Sequence, residues 1–196
     1  MITNPHHDTV QLRGPTQLAQ LVVRQFLCPG DCAVDATCGN GHDTLLLADV
    51  VGPTGKVWAF DIQEEAIRQT GQKLEKSGQT ERVKLLLAGH ETLSEHVSIP
   101  VKAVIFNLGY LPGGDRGIIT KPETTITALQ QALQLLLPTG VVAITVYPGH
   151  PGGDNEETAV SRWSGSLDQR LFHAWRMGQV NAMPGAPYFF LIQKAA

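Results

Sequence analysis

A short glycine turn at positions 35–44, with the sequence DATCGNGHDT, holds residue types that suit the binding of a nucleotide-like ligand. Gly39 and Gly41 are one residue apart, which allows a tight turn and a close approach of the backbone to a ligand. Asp35 and Asp43 flank the glycines. Two carboxylates beside such a turn favour a ligand that carries a cationic group over one that presents a pyrophosphate.

A third acidic residue, Asp61, follows Gly39 by twenty-two positions, at the distance where an acid commonly binds ribose hydroxyls. A dinucleotide-dependent oxidoreductase is one alternative, but its G-x-G-x-x-G pattern would need glycine where this chain has Thr44. S-adenosylmethionine combines a cationic amino-acid group with a ribose. The plainer alternative is an ordinary strand-to-helix turn, and the acids on both sides argue against it.

A second group of polar and aromatic residues lies in the segment 104–115, VIFNLGYLPGGD. It is similar to the Asn-Pro-Pro-Tyr motif of amino-group methyltransferases, with Asn107 and Tyr110 at the matching positions. An asparagine side-chain oxygen and a nearby carbonyl can hold the hydrogens of an amine and direct its lone pair towards a methyl carbon. The alternative is that Asn107 only ends a strand at a turn.

Short apolar runs alternate with helix-period segments along most of the chain, which predicts a doubly wound α/β domain with a mostly parallel sheet. Predicted strands lie at 33–37, 56–61, 83–88, 101–107 and 141–147, and predicted helices at 15–27, 42–51, 63–77, 90–96 and 122–137. A polar helix at 154–167 precedes two strands, 171–181 and 187–193, that we expect to pair antiparallel through a turn at 183–185. No repeat or linker interrupts the pattern, so residues 1–196 are predicted to form one domain.

Composition narrows the classes of function. Fifteen Lys and Arg against eighteen Asp and Glu give a net charge of −3, which excludes a globally basic nucleic-acid binder. Three cysteines and no signal-like N-terminus predict reduced thiols and a cytoplasmic protein. The uncharged stretch 124–153 is broken by Pro138 and Gly140, so we expect no membrane span. Cys28 and Cys32 lack a second ligand pair, and no metal site is predicted.

Five segments together resemble a family of small class I methyltransferases of the rRNA methylase type, some of which are linked to methylation of 5-aminomethyl-2-thiouridine at the tRNA wobble base. The segments are 35–44, 60–63 (FDIQ), 89–91 (GHE), 107–112 (NLGYLP) and 147–153 (YPGHPGG). The resemblance implies a seven-stranded fold of the Rossmann-like kind and S-adenosylmethionine as the methyl donor.

The resemblance also assigns residues. It implies that Asn40 and Asp43 lie near the methionine end of the donor, Asp61 and Gln63 near its ribose, and His90 beside its adenine. The full set expected to bind the donor is Asp35, Thr37, Gly39, Asn40, Gly41, Asp43, Asp61, Gln63, Gly89 and His90. The acceptor side would be lined by Asn107, Tyr110, Tyr147 and His150. An aminomethyl group is mostly protonated at neutral pH, and His150 or Asp115 is expected to accept the proton.

The implied partner is the anticodon stem-loop of a tRNA, held by a small basic area and shared across a homodimer. Arg116 and Lys121 follow the acceptor segment and are expected to contact phosphate, with Arg162, Arg170 and Arg176 extending that face. The lysines and arginines at 68–84 are interleaved with glutamates, so they are expected to form only a solvated surface. Two alternatives remain open: methylation of rRNA or a small-molecule amine, and a catalytically silent module that binds S-adenosylmethionine.

Overall fold

The structure is a computed structural model that describes residues 12–115, 117–149 and 152–196. Six α-helices are present in the described residues: α1 Pro15–Arg24, α2 His42–Val51, α3 Glu64–Ser77, α4 Leu93–His96, α5 Pro122–Leu135 and α6 Gly153–Gly165. Seven strands accompany them: β1 Cys32–Asp35, β2 Lys56–Asp61, β3 Val83–Leu87, β4 Val101–Asn107, β5 Leu136–Val146, β6 Phe172–Met177 and β7 Tyr188–Lys194. None of these helices is long and apolar enough to cross a bilayer.

The seven strands form one sheet in the order β3-β2-β1-β4-β5-β7-β6. The first five strands are parallel, and β7 is antiparallel to both of its neighbours. This arrangement confirms the predicted doubly wound sheet with an antiparallel last pair. The strand order reverses between β1 and β4, and ligands of open α/β sheets bind at such a point.

The sheet is covered by helices on both faces because its central strands are apolar on both sides. In β4, Val104 and Phe106 pack into one core cluster while Ala103 and Ile105 pack into the other. Complete burial of a side chain such as Phe106 contributes roughly 1.5–3 kcal/mol. This packing fixes the strand ends, and therefore the loops that follow them, in one arrangement.

Some predicted boundaries were wrong. The helix predicted at 122–137 ends at Leu135, because Leu136 adopts an extended conformation and pairs with Val101 of β4. Pro138 therefore lies within β5, at an irregularity in its pairing with β4, rather than ending a helix. The helix predicted at 15–27 ends at Arg24, and the strand predicted at 171–181 covers only Phe172–Met177.

Candidate active site

A cavity of about 900 Å³ opens at the carboxyl ends of β1, β2 and β4, where the sequence analysis places the ligand. Most of the predicted residues lie in its wall. They are Thr37, Gly39, Asn40, Asp43, Asp61, Gln63, Gly89, His90, Asn107 and Tyr110. The cavity is within the size range of small-molecule and cofactor sites.

Asp61, at the end of β2, organises the glycine turn through the backbone. One carboxylate oxygen accepts a hydrogen bond from the N–H of Gly39 at 2.9 Å, and the other accepts from the N–H of Gln63 at 3.0 Å. A carboxylate offers about four acceptor positions in total, so two remain for a ligand. Asp61 therefore has the free lone pairs that a ribose diol needs.

Helix α3 holds the other side of the same turn. The Thr70 hydroxyl donates to the carbonyl of Gly39 at 3.1 Å, and the Lys73 ammonium donates to the carbonyl of Asn40 at 2.5 Å. Gly41 has a φ of +79°, and a Cβ there would lie 2.7 Å from the Thr70 hydroxyl oxygen. A side chain at position 41 would thus be strained and would also collide with α3.

Asp35 lies behind the cavity wall rather than in it. Its side chain is completely buried and accepts from the Thr44 hydroxyl at 2.6 Å and from the Thr37 N–H at 3.2 Å. Burial, with a smaller contribution from the charge of Asp43, raises the pKa of Asp35 to about 8. Asp35 therefore supports the glycine turn through its hydrogen bonds and does not line the cavity.

Asp43, at the start of α2, is held between two side-chain amides. Gln20 of α1 donates to its Oδ1 at 2.5 Å, and Asn107 donates through Nδ2 to its Oδ2. Burial raises the pKa of Asp43, while these two hydrogen bonds act in the opposite direction. No described Lys or Arg forms an ion pair with this carboxylate.

The two contacts of Asn107 fix which end of its amide is free. Its backbone N–H donates to the Thr37 hydroxyl at 2.7 Å, and its Nδ2 is engaged by Asp43. Its Oδ1 is buried and accepts no hydrogen bond from the described residues. A buried acceptor left unpaired costs about 1–3 kcal/mol, so an N–H donor that reaches it is favoured.

His90 forms part of the cavity wall beyond the end of β3. Its ring is 7% exposed and lies edge-on to Phe106, with ring centroids 5.8 Å apart. Burial lowers the pKa of His90, and the charge of Glu91, together with a hydrogen bond to the backbone of Ala36, opposes that shift. Its Nε2 has no partner among the described residues. A neutral ring with one free nitrogen suits contact with a planar heterocycle better than with an ion.

The side of the cavity predicted to receive the acceptor is lined from two loops, of which the structure describes residues 108–115 and 117–121 after β4 and residues 147–149 and 152 after β5. Tyr110 and Ile119 form a single antiparallel bridge within the first loop. The second loop begins with Tyr147, whose hydroxyl lies 2.9 Å from that of Thr16 on α1. Burial raises the pKa of Tyr147, so its phenol stays neutral at physiological pH.

Not every predicted residue reaches the cavity. Asp115 is exposed, accepts the N–H of Gly117 at 2.8 Å and is outside the wall, which weakens its assignment as a proton acceptor. Gly41, like Asp35, shapes the turn from behind. His150 and Arg116 lie outside the described residues, whereas Lys121 lines the cavity.

Sequence reasoning missed several residues that contact the site. Thr16 and Gln20 reach Tyr147 and Asp43 from α1, and Thr120 lies in the wall next to Lys121. Thr16 and Tyr147 are 131 positions apart, so no local spacing could have connected them. Only the folded structure shows that the first turns of α1 lie against this edge of the sheet.

The chain is similar to several known proteins. A family model described as "Putative rRNA methylase" matches residues 57–193. The chain belongs to this family. A curated relative, the chloroplastic tRNA (mnm5s2U34)-methyltransferase of Arabidopsis thaliana, is 43% identical over 162 residues. That match covers 78% of this chain and 59% of the relative, so the chain spans about three fifths of the relative's length.

Solved structures of the family agree with the fold. The crystal structure of a protein of the same description from Clostridium thermocellum is 39% identical, with a TM-score of 0.91 over 94% of this chain and 100% of that chain. A Streptococcus mutans protein described as "a putative methyltransferase", in complex with S-adenosylhomocysteine (SAH), is also 39% identical, with a TM-score of 0.84 over 92% and 97% of the two chains. These matches confirm the predicted class I methyltransferase fold.

Proposed function

We propose that this chain transfers the methyl group of S-adenosylmethionine to the amine of 5-aminomethyl-(2-thio)uridine at the tRNA wobble position. The Arabidopsis relative is named for methylation at this position of tRNA, and the family match supports a methyltransferase. The Streptococcus relative binds SAH, which is what remains of S-adenosylmethionine after the methyl group leaves. The predicted cofactor is thereby confirmed for the family.

The residues of the cavity fit that cofactor. Asp61 keeps two acceptor positions for ribose hydroxyls, and the wall beside it carries the unpartnered Nε2 of His90 near the place expected for adenine. At the other end, the buried Asp43 carboxylate has no ion pair with a described Lys or Arg, which suits a ligand with a cationic group. We therefore assign Asp61, His90 and Asp43 to the ribose, the adenine and the methionine end.

The unpaired Oδ1 of Asn107 is the observation that carries the acceptor assignment. The bound cofactor would supply an electrophilic methyl group. Asn107 would accept an N–H of the substrate amine and orient the nitrogen lone pair, while Asp43 keeps the amide from rotating. Tyr110 and Tyr147 would enclose the nucleobase, and His150 stays the predicted proton acceptor.

Binding of RNA is part of the proposal. Lys121 lines the cavity mouth, where a phosphate next to an extruded base would lie. The net charge of −3 favours a small contact area such as an anticodon stem-loop, and we keep a homodimer as the proposed assembly.

The direct test is methyl transfer from isotopically labelled S-adenosylmethionine to purified tRNA, followed by nucleoside mass spectrometry. We expect label in methylaminomethyl-uridine when the tRNA carries 5-aminomethyl-(2-thio)uridine at the wobble position. The same tRNA with unmodified uridine there is the matched control and should gain no label. Ribosomal RNA is assayed in parallel, and label found only there, or in neither RNA, would contradict the proposal. Light scattering of the same sample tests the homodimer.

A further inference from the structure

A buried carboxylate outside the cavity wall, Glu156, lies in the first turns of α6. Its side chain is 2% exposed, and each of its oxygens accepts a hydroxyl hydrogen bond of 2.6 Å, one from Thr120 and the other from Thr125. A buried carboxylate is costly unless it is hydrogen-bonded, so these two hydroxyls are held where they are. Glu156 therefore ties α6 to the end of the first acceptor loop and to α5.

Thr120 connects Glu156 to the start of the acceptor loop by hydrogen bonds. Its hydroxyl, while donating to Glu156, accepts the N–H of Gly109 at 2.7 Å, and its own N–H donates to the Gly109 carbonyl at 2.9 Å. Gly109 is two residues after Asn107, the proposed amine-orienting residue. The base of the loop is thus closed by a chain of hydrogen bonds that begins at the carboxylate.

The second acceptor loop meets the first at the same place. The N–H of Glu156 donates to the Gly152 carbonyl at 3.3 Å. Gly152 has a φ of +87°, and a Cβ built there would lie 2.9 Å from Cδ1 of Ile119 in the first loop. Gly152 therefore lies against Ile119 of the first loop, and Glu156 is bonded to Gly152 through its backbone and to Thr120 through its side chain.

We propose that Glu156 is a positioning residue for methyl transfer: through Thr120 and Gly109 it sets the position of Asn107 and Tyr110 relative to the cofactor. This inference rests on the proposed function for its kinetic consequence, but the hydrogen-bond relay exists without it. Correct alignment of the reacting groups is a large part of a catalysed rate, and the cofactor end of the cavity is held by other contacts. Loss of the relay should therefore lower turnover and leave cofactor affinity unchanged.

The first experiment compares Glu156→Ala with Glu157→Ala, which removes the same group from the next position of α6. Glu157 accepts a hydrogen bond from Tyr188 of β7 and not from Thr120 or Thr125. For Glu156→Ala we expect amide hydrogen exchange at Gly109 to become at least tenfold faster. The single-turnover rate should fall at least tenfold, and the Kd for S-adenosylmethionine should stay within twofold. Glu157→Ala should match the wild-type protein in all three measurements.

A second pair of variants keeps the test decisive if Glu156→Ala folds poorly. Thr120→Val preserves the shape of the side chain but breaks the relay, whereas Thr120→Ser preserves the hydroxyl. Exchange at Gly109 and turnover should change in the valine variant and return towards wild-type values in the serine variant. Unchanged exchange in Thr120→Val and in folded Glu156→Ala would overturn the relay. Wild-type protein that methylates no tRNA would refute the proposed function, and the exchange measurement would still decide the relay.

Discussion

The cofactor end and the acceptor end of the cavity are held in place by different kinds of contact. At the cofactor end, the short turn 36–41 is held by backbone hydrogen bonds to Asp61 and by two side chains of α3, Thr70 and Lys73. At the acceptor end, two loops are held by side chains from distant parts of the chain, Thr16 of α1 and Glu156 of α6. The contacts at the cofactor end join residues 22–33 positions apart, whereas those at the acceptor end join residues up to 131 positions apart.

If this contrast is correct, the largest effect should come from Asn107, which links the two ends. We expect Asn107→Ala to lower the single-turnover rate by about 100-fold, because the amine loses the group that orients it. Cofactor affinity should change little, since Gln20 still donates to Asp43. Calorimetric titration and single-turnover assays on one sample measure both. Parallel losses of affinity and rate would refute the role of Asn107 in orienting the amine. The control is Asn181→Ala, a change in an exposed loop.

The next largest effect is expected from Asp61, at the cofactor end of the cavity. Asp61→Ala should weaken S-adenosylmethionine binding by about 1.5–3 kcal/mol, the scale of hydrogen bonds to a charged acceptor. Glu75→Ala removes the same charge from an exposed position of α3 and should bind normally. Calorimetry on both folded variants checks the difference. Equal affinities would refute the ribose assignment, and measurable binding of NADH would revive the oxidoreductase alternative.

A smaller effect is expected from the contact of α1 with the site. Gln20→Ala leaves Oδ1 of Asp43 without its amide donor, which costs about 1 kcal/mol for one hydrogen bond. If that cost falls on the orientation of Asn107, turnover should drop about fivefold. Gln17→Ala, one turn earlier on the same helix, is the matched control. The same rate in both variants would show that α1 only covers the site.

The last effect is one on stability and not on activity, a pH dependence that comes from Asp35. Because burial raises its pKa to about 8 from an ordinary value of 3.8, the folded protein holds a proton that the unfolded chain releases above about pH 4. Stability contributed by this group is therefore lost as the pH rises towards 8. Relative to Asp35→Asn, the wild-type protein should lose up to about 1.4 kcal/mol per pH unit between pH 5 and 8. Urea unfolding at several pH values measures this, and a constant difference would contradict it.

Most of the sheet could be predicted from the sequence because its strands are apolar on both faces and are separated by clear helix periods. The same holds for the cofactor end, where Gly39, Gly41 and Asp61 are recognisable by spacing alone. The helix boundary at 135 could not be predicted, since the pairing of Leu136 with Val101 overrides the local preference that Pro138 suggested.

The acceptor end was predictable in its residue types but not in its connections. Asn107 and Tyr110 stood out as polar and aromatic residues at a strand end. Nothing in the local sequence pairs Glu156 with Thr120, because 36 positions separate them and their contact depends on the packing of α5 against α6. Asp115 looked suitable by type, yet it is exposed and does not line the cavity.

The support that α3 gives to the glycine turn has a consequence for the speed and entropy of cofactor binding. Since Thr70 and Lys73 already immobilise the carbonyls of Gly39 and Asn40, the turn has little conformational freedom left to lose when a ligand arrives. Association at this end should then resemble docking to a rigid surface, with a rate that increases linearly with ligand concentration and shows no plateau from a loop rearrangement.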